Sequence, residues 1–208
     1  RQRLVAGRFP FPLLPVGEAI RATALGASEH STQLSGRTVY LSRPEVLVPR
    51  RNLQVIHPAL VLDEVIDAAT VTAAIQRHFG SFDLVEGDAE IALAFRWRGA
   101  PSHRRLAGFA QGIVDAMPGT VAAGTSLFVM LDADVAQTLG TILKDEIGVA
   151  SEVLVLDGIE PWDFDYVDLG CVSPTSSAVP VTLRSLFFKH DPRAPMNARG
   201  QGDGRPPA

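Results

Sequence analysis

The 208-residue chain has a single cysteine, Cys171. No intrachain disulfide can form, so the core must hold the fold, and a reducing, cytoplasmic setting is expected. No charge of one sign dominates: 19 Lys and Arg against 23 Asp and Glu leave a net charge of −4. That balance provides no electrostatic footprint for nucleic acid or for an anionic membrane. The pairs Arg50-Arg51 and Arg104-Arg105 stand apart from other bases and read as solvated surface. No apolar run reaches the roughly 18 residues of a membrane span. The amino terminus has no secretory apolar region followed by a small-residue cleavage site. It also lacks an initiator methionine and starts in mid-flow with RQRLVAGRFPFP, so the chain is expected to be a fragment of a longer protein.

Several chemical signatures are missing too. The five histidines are His30, His57, His78, His103 and His190, and no pair has the helical spacing of a zinc site. No serine sits in a nucleophile-elbow pattern. Gly200, Gly202 and Gly204 have neither a strand before them nor a helix after them, which excludes a dinucleotide fingerprint. No residue is assigned a catalytic, cofactor-binding or metal-ligating role.

What is present is a rhythm. The composition, 46% hydrophobic and 20% charged, is that of a soluble globular domain. STQLSGRTVYL reads as a hairpin with Ser35-Gly36 at its turn. RPEVLVPRRNLQVIHP, bracketed by prolines, reads as an edge strand and a linker. Next, Val71, Ala74, Ile75, His78 and Phe79 fall on one helical face, with Asp67 as N-cap. EIALAFRW, SLFVML and EVLVL are continuous apolar strands centred near Ile91, Phe128 and Leu154. Between them lie a helix carrying Leu106, Phe109, Ala110, Ile113, Val114 and Met117 on one face, and another carrying Val135, Leu139, Ile142 and Leu143. Strand and helix alternating in this way predict an α/β fold with a partly parallel sheet, helices on its faces and right-handed crossovers. YVDLG and VPVTLRSLFF follow without a helix and predict a terminal antiparallel portion. Gly108, Gly112 and Gly140 lie within helices, where they suggest close packing on a neighbour.

The acids raise the question of a site. Asp132 and Asp157 end the second and third apolar strands, and in an open α/β sheet ligands bind at that edge. A magnesium pair is conceivable there. An N-cap for Asp132 and a turn for Asp157-Gly158 is the simpler reading. Asp168-Leu169-Gly170 has the outline of a phosphate loop, but Pro174 removes an N–H donor that such a loop would need. A turn is the preferred reading, with positive φ considered at Gly170. His78 is expected to be a partly buried packing residue.

Two separated stretches resemble the ethanolamine utilisation protein EutA family, the reactivating factors of ethanolamine ammonia-lyase. One is IRATALGASEHSTQLSGRTVYL, Ile20 to Leu41; the other is DYVDLG with VPVTLRSLFF, Asp165 to Phe188. RRNLQV and DVAQTLG have counterparts in the same order. The resemblance departs at Phe164, where the family usually has glycine, and at Val172-Ser173-Pro174-Thr175-Ser176, where it usually has a Gly-Gly pair.

The resemblance implies the C-terminal part of an actin-like/Hsp70-like ATPase, with ATP and Mg belonging to the full-length protein and no cofactor in this chain. It implies ethanolamine ammonia-lyase as partner and a chaperone-like exchange of damaged cobalamin as function. With it the chain divides into 1–58, the end of the actin-like core with a β-hairpin and linker; 59–190, a C-terminal α/β domain; and 191–208, which its Pro, Gly and Arg content marks as a disordered tail. Another actin-like ATPase, such as a small-molecule kinase, and a stand-alone interaction module remain alternatives. The chain as given is expected not to be an enzyme.

Overall fold

The three continuous apolar runs form the middle of one sheet. In the computed structural model the described residues are 29–34, 39–173 and 178–185. In chain order they form β1 (Glu29–Leu34), β2 (Val39–Leu41), α1 (Pro44–Leu47), β3 (Arg50–Ile56), α2 (Ala68–Ser81), β4 (Ile91–Phe95), α3 (His103–Ala116) and α4 (Pro118–Ala122). Then come β5 (Leu127–Leu131), α5 (Ala136–Thr141) with a π turn at Ile142–Glu146, β6 (Val153–Asp157), β7 (Asp165–Leu169) and β8 (Pro180–Ser185). The sheet order is β1-β8-β7-β3-β4-β5-β6-β2.

As expected, β4, β5 and β6 pair in parallel, and every residue in them is buried. β7 and β8 form the antiparallel portion, as the missing helix between them predicts. Strands β1, β2 and β3 from residues 1–58 share this sheet with strands from 59–190. Residues 191–208 lie outside the described residues.

Successive crossovers from β3 to β6 move in one direction, so right-handed connections put α2, α3 and α5 on the same face. Val71, Ile75, Phe109, Ile113 and Leu139 pack there against Leu93, Val129 and Val155. The sequence led us to expect helices on both faces. The other face, through Ala92, Phe128, Met130 and Leu154, is instead buried against Leu47 of α1 and the loop residues Val48, Ile159 and Val179. Four residues of α1 suffice because the small Ala92 and Ala94 leave little relief on that side.

Three local expectations change. β1 and β2 are not a hairpin: they lie at opposite edges, paired with β8 and β6, and the supposed Ser35-Gly36 turn lies outside the described residues. Adjacency in sequence lost to burial, since Tyr40 of β2 packs on Gly140 of α5. β3 is not an edge strand but lies between β7 and β4. Pro44, Pro49 and Pro58 all fall outside it, so none removes a ladder donor, and Leu53, Val55 and Ile56 are buried. The last helix also widens. Ile147 N donates to Ile142 O at 2.9 Å, and Lys144 Nζ donates to the carbonyls of Val149, Ala150 and Ser151, closing the π turn onto the next loop.

The first helix starts as its sequence predicts. Asp67 accepts a hydrogen bond from Thr70 N at 3.1 Å. The glycines of α3 let that helix approach α2 at backbone distance. A Cβ on Gly108 would stand 2.3 Å from Ile66 O, and one on Gly112 would stand 2.5 Å from Val71 Cβ.

Candidate ligand site at the carboxyl edge of the sheet

The chain leaves β6 at one side of the parallel strands and re-enters the sheet as β7 beside β3. The connection, residues 158–164, must therefore cross the carboxyl ends of β5, β4 and β3 in turn. It is fastened at each. Ile159 N donates to Leu131 O at the end of β5, 3.1 Å away. Glu160 pairs with Arg96, the first residue after β4. Asp163 Oδ1 accepts from the backbone N–H of His57, the first residue after β3, at 2.7 Å. His78 Nε2, from the last turn of α2, lies 2.7 Å from the same oxygen. A carboxylate only accepts, so that nitrogen carries the proton.

Aromatic groups complete the crossing. The Arg96 guanidinium stacks over the Trp162 ring, 4.4 Å from its centroid, and the edge of His57 meets the same ring at 4.8 Å. Trp162 N donates to Asp165 Oδ2 at 2.8 Å, and buried Asp165 also accepts from Ser185 Oγ. Beneath the crossing is a cleft of about 470 Å³, walled by residues 57–61, Phe95, Arg96, Trp162 and Asp163. Burial pushes the His57 imidazole below its ordinary pKa, an effect that Asp163 only partly offsets. His57 Nδ1 is buried without a hydrogen-bond partner.

The acids foreseen for this edge are in place, each held by protein donors. Asp132 accepts from Trp97 N at 2.7 Å and from Arg98 Nη1 at 2.8 Å. Burial opposes its charge, but these donors outweigh burial and hold its pKa below the usual carboxylate value. Asp157, not Asp132, meets the start of the helix, accepting from Ala136 N at 2.8 Å. Among the described residues no group of three or more His, Cys, Asp or Glu is arranged to hold a metal ion.

Asp168-Leu169-Gly170 is not a turn either. Asp168 and Leu169 belong to β7, paired on both sides, and Gly170 N donates to Pro180 O at 2.8 Å. Gly170 does not have positive φ. Asp168 Oδ1 accepts from Asn52 N at 2.7 Å and from Arg184 Nη2 at 2.9 Å. Asn52 has φ +57 where the β3 ladder is irregular, so the carboxylate takes an N–H that the kink turns away from the sheet. Of the loop that follows, residues 174–177 lie outside the described residues.

His57, Arg96, Trp162 and Asp163 were not foreseen as a group. The rule that singled out Asp132 and Asp157 extends to Arg96, which directly follows the apolar β4, and to His57, which directly follows the mixed strand β3. Trp162 and Asp163 gave no such signal, because only the crossing brings them there. His78 is 17% exposed in its side chain, the partly buried residue foreseen, and it also holds Asp163.

Phe164, the departure noted in the sequence, has φ +67 and stacks edge-on against Phe82 at 5.0 Å between ring centroids. Left-handed backbone strains a non-glycine residue by about 1–2 kcal/mol. Phe164→Gly loses the ring and the strain together, whereas Phe164→Ala loses the ring alone. The glycine variant is expected to be about 1 kcal/mol more stable than the alanine variant in urea unfolding. Equal stabilities would mean the backbone there carries no strain.

Comparison with known proteins follows the same residues. The family described as Ethanolamine utilisation protein EutA matches residues 10–189. The ethanolamine ammonia-lyase reactivase EutA of Salmonella typhimurium is 30% identical over 179 residues, covering 82% of this chain and 34% of that protein. The protein of the same name from Escherichia coli is 31% identical over 179 residues, with the same coverage. The chain thus spans about a third of the length of the curated relatives it matches. No solved structure matches.

Proposed function

Because the chain belongs to the ethanolamine utilisation protein EutA family, we propose that it is the C-terminal part of a reactivating factor for ethanolamine ammonia-lyase. The match over residues 10–189 carries this reading. In it, the full-length protein is an actin-like, Hsp70-like ATPase of the cytoplasm that uses ATP with Mg. It promotes release of damaged cobalamin from the lyase by binding two states of that enzyme with different affinity. The mixed sheet with helices on one face is compatible with that architecture.

Within the reading, this chain supplies a scaffold rather than nucleotide chemistry. The residues considered for a nucleotide phosphate or a magnesium ion have other partners. Asp168 serves Asn52 and Arg184, the Gly170 N–H serves the sheet, and Asp132 and Asp157 each have separate protein partners. Titration of the 208-residue chain with Mg-ATP is therefore expected to give no micromolar binding; saturable micromolar heat would refute the scaffold assignment.

The wider reading is tested in the full-length protein. Deleting the segment equivalent to residues 39–185 is expected to abolish restoration of activity to lyase loaded with inactive cobalamin. Reactivation that survives the deletion would overturn it.

A further inference from the structure

We infer that the cleft beneath the β6–β7 crossing binds a small amphipathic carboxylate, with Arg96 as the carboxylate anchor and Trp162 as the wall for its apolar body. This site does not depend on the reactivase reading.

Several independent features converge on it. The cleft's volume, about 470 Å³, suits a small ligand, and it opens at the carboxyl edge of parallel strands, where open α/β sheets take ligands. Pro58, Leu60, Val61 and Phe95 line much of it, which calls for an apolar body.

The charges decide the head group. Arg96 and Asp163 are the charged residues lining the cleft besides the histidines. Asp163 Oδ1 is already taken by two donors, the His57 N–H and His78 Nε2. Arg96 is not enclosed in the same way: its side chain is 43% exposed, and its ion pair with Glu160 runs through Nη2. A guanidinium has five N–H donors in a planar fork, so one such contact leaves donors for a second carboxylate. Glu160 itself demonstrates the chemistry, since it is a carboxylate of the crossing held by this same guanidinium. Stacking on Trp162 holds the fork in place, which lowers the ordering cost of using it. The buried, unpartnered Nδ1 of His57 marks a polar position that the protein leaves unsatisfied beside the cleft. An organic cation would meet Arg96 at close range, and a neutral amide would give the fork a single uncharged acceptor in place of a charge-assisted pair.

The test uses the 208-residue chain with three probes of matched shape: 3-phenylpropionate, 3-phenylpropionamide and 3-phenylpropylamine. Calorimetric titration at neutral pH is expected to show the carboxylate binding at least about tenfold more tightly than the other two, a difference of one factor of ten in Kd. Arg96→Gln is expected to remove that preference while its thermal unfolding stays near wild type. Trp162→Leu is expected to weaken all binding without restoring the amide or the amine. Equal binding of the amide, tighter binding of the amine, a preference that survives Arg96→Gln, or no binding up to about 10 mM would each overturn the site.

Discussion

Gly112→Val is expected to lower stability by about 3–4 kcal/mol, a fall in Tm of about 10 °C for a chain of this size. The new Cβ would lie 2.5 Å from Val71 Cβ and 2.7 Å from Ala68 O. The second of these is backbone and cannot rotate aside. The contact is tied further by Thr72 Oγ1, whose single O–H is shared between Ala68 O at 2.9 Å and Gly112 O at 3.0 Å. Forcing α2 and α3 apart therefore breaks hydrogen bonds as well as packing, and it opens the core that Val71, Ile75, Phe109 and Ile113 share. Gly140→Ala makes a useful contrast. Its Cβ would meet Tyr40 Cγ at 2.1 Å and Tyr40 Cβ at 2.7 Å, which side-chain rotation alone cannot clear, but Tyr40 stands on a three-residue edge strand that can shift as a unit. About 1–2 kcal/mol is expected there. Thermal unfolding of both variants decides the matter, and a Gly112→Val protein melting within about 2 °C of wild type would show that the two helices are not in backbone contact.

Asp157→Asn should act in the opposite direction at neutral pH. The carboxyl of Asp157 is 1% exposed, and burial pushes its pKa up to about 6, with Asp134 adding to the rise and the Ala136 and Val135 N–H groups opposing it. The folded-state pKa is above that of the unfolded chain, so between the two values the native state holds a proton that the unfolded state has lost. Stability from this group is present in full below about pH 4 and is lost as the pH rises through about 6. The span between the two pKa values corresponds to about 3 kcal/mol at most. Asparagine keeps an oxygen for Ala136 N and carries no charge at any pH. Asp157→Asn is expected to gain about 1–2 kcal/mol at pH 7.5 and to remove this pH dependence. Urea unfolding of the two proteins at pH 4.5 and 7.5 isolates the effect, because the other carboxylates are common to both. A constant difference between them across that range would mean Asp157 ionises as an ordinary surface acid.

The elements that could be read from the sequence share a physical reason. β4, β5 and β6 are buried on both faces, so each is apolar at every position and stands out against any background. α2 and α3 each bury one stripe, which leaves a 3.6-residue period, and Asp67 marks where the first of them starts. Close packing at Gly108, Gly112 and Gly140 was legible for a related reason: glycine is poor in a helix and tends to persist there where something approaches.

The partners of β1, β2 and β3 were not legible. Strand pairing depends on which apolar surfaces meet in space, and local sequence records only that a strand can form. The same limit applies to Asp168, whose run looks like a loop motif until β3 and β8 supply Asn52 and Arg184 on either side of it.

By itself, then, the sequence determined the alternation of strands and helices, the parallel centre of the sheet and the family to which the chain belongs. These follow from burial periods and ordered motifs, both of which are local. Only the tertiary structure decided the carboxyl-edge cleft. Its residues come from four places, His57 after β3, His78 on α2, Arg96 after β4 and Trp162-Asp163 on the crossing. They meet because the chain must pass over the ends of three strands to travel from β6 to β7. That path is set by the order of strands in the sheet, which no stretch of the sequence states.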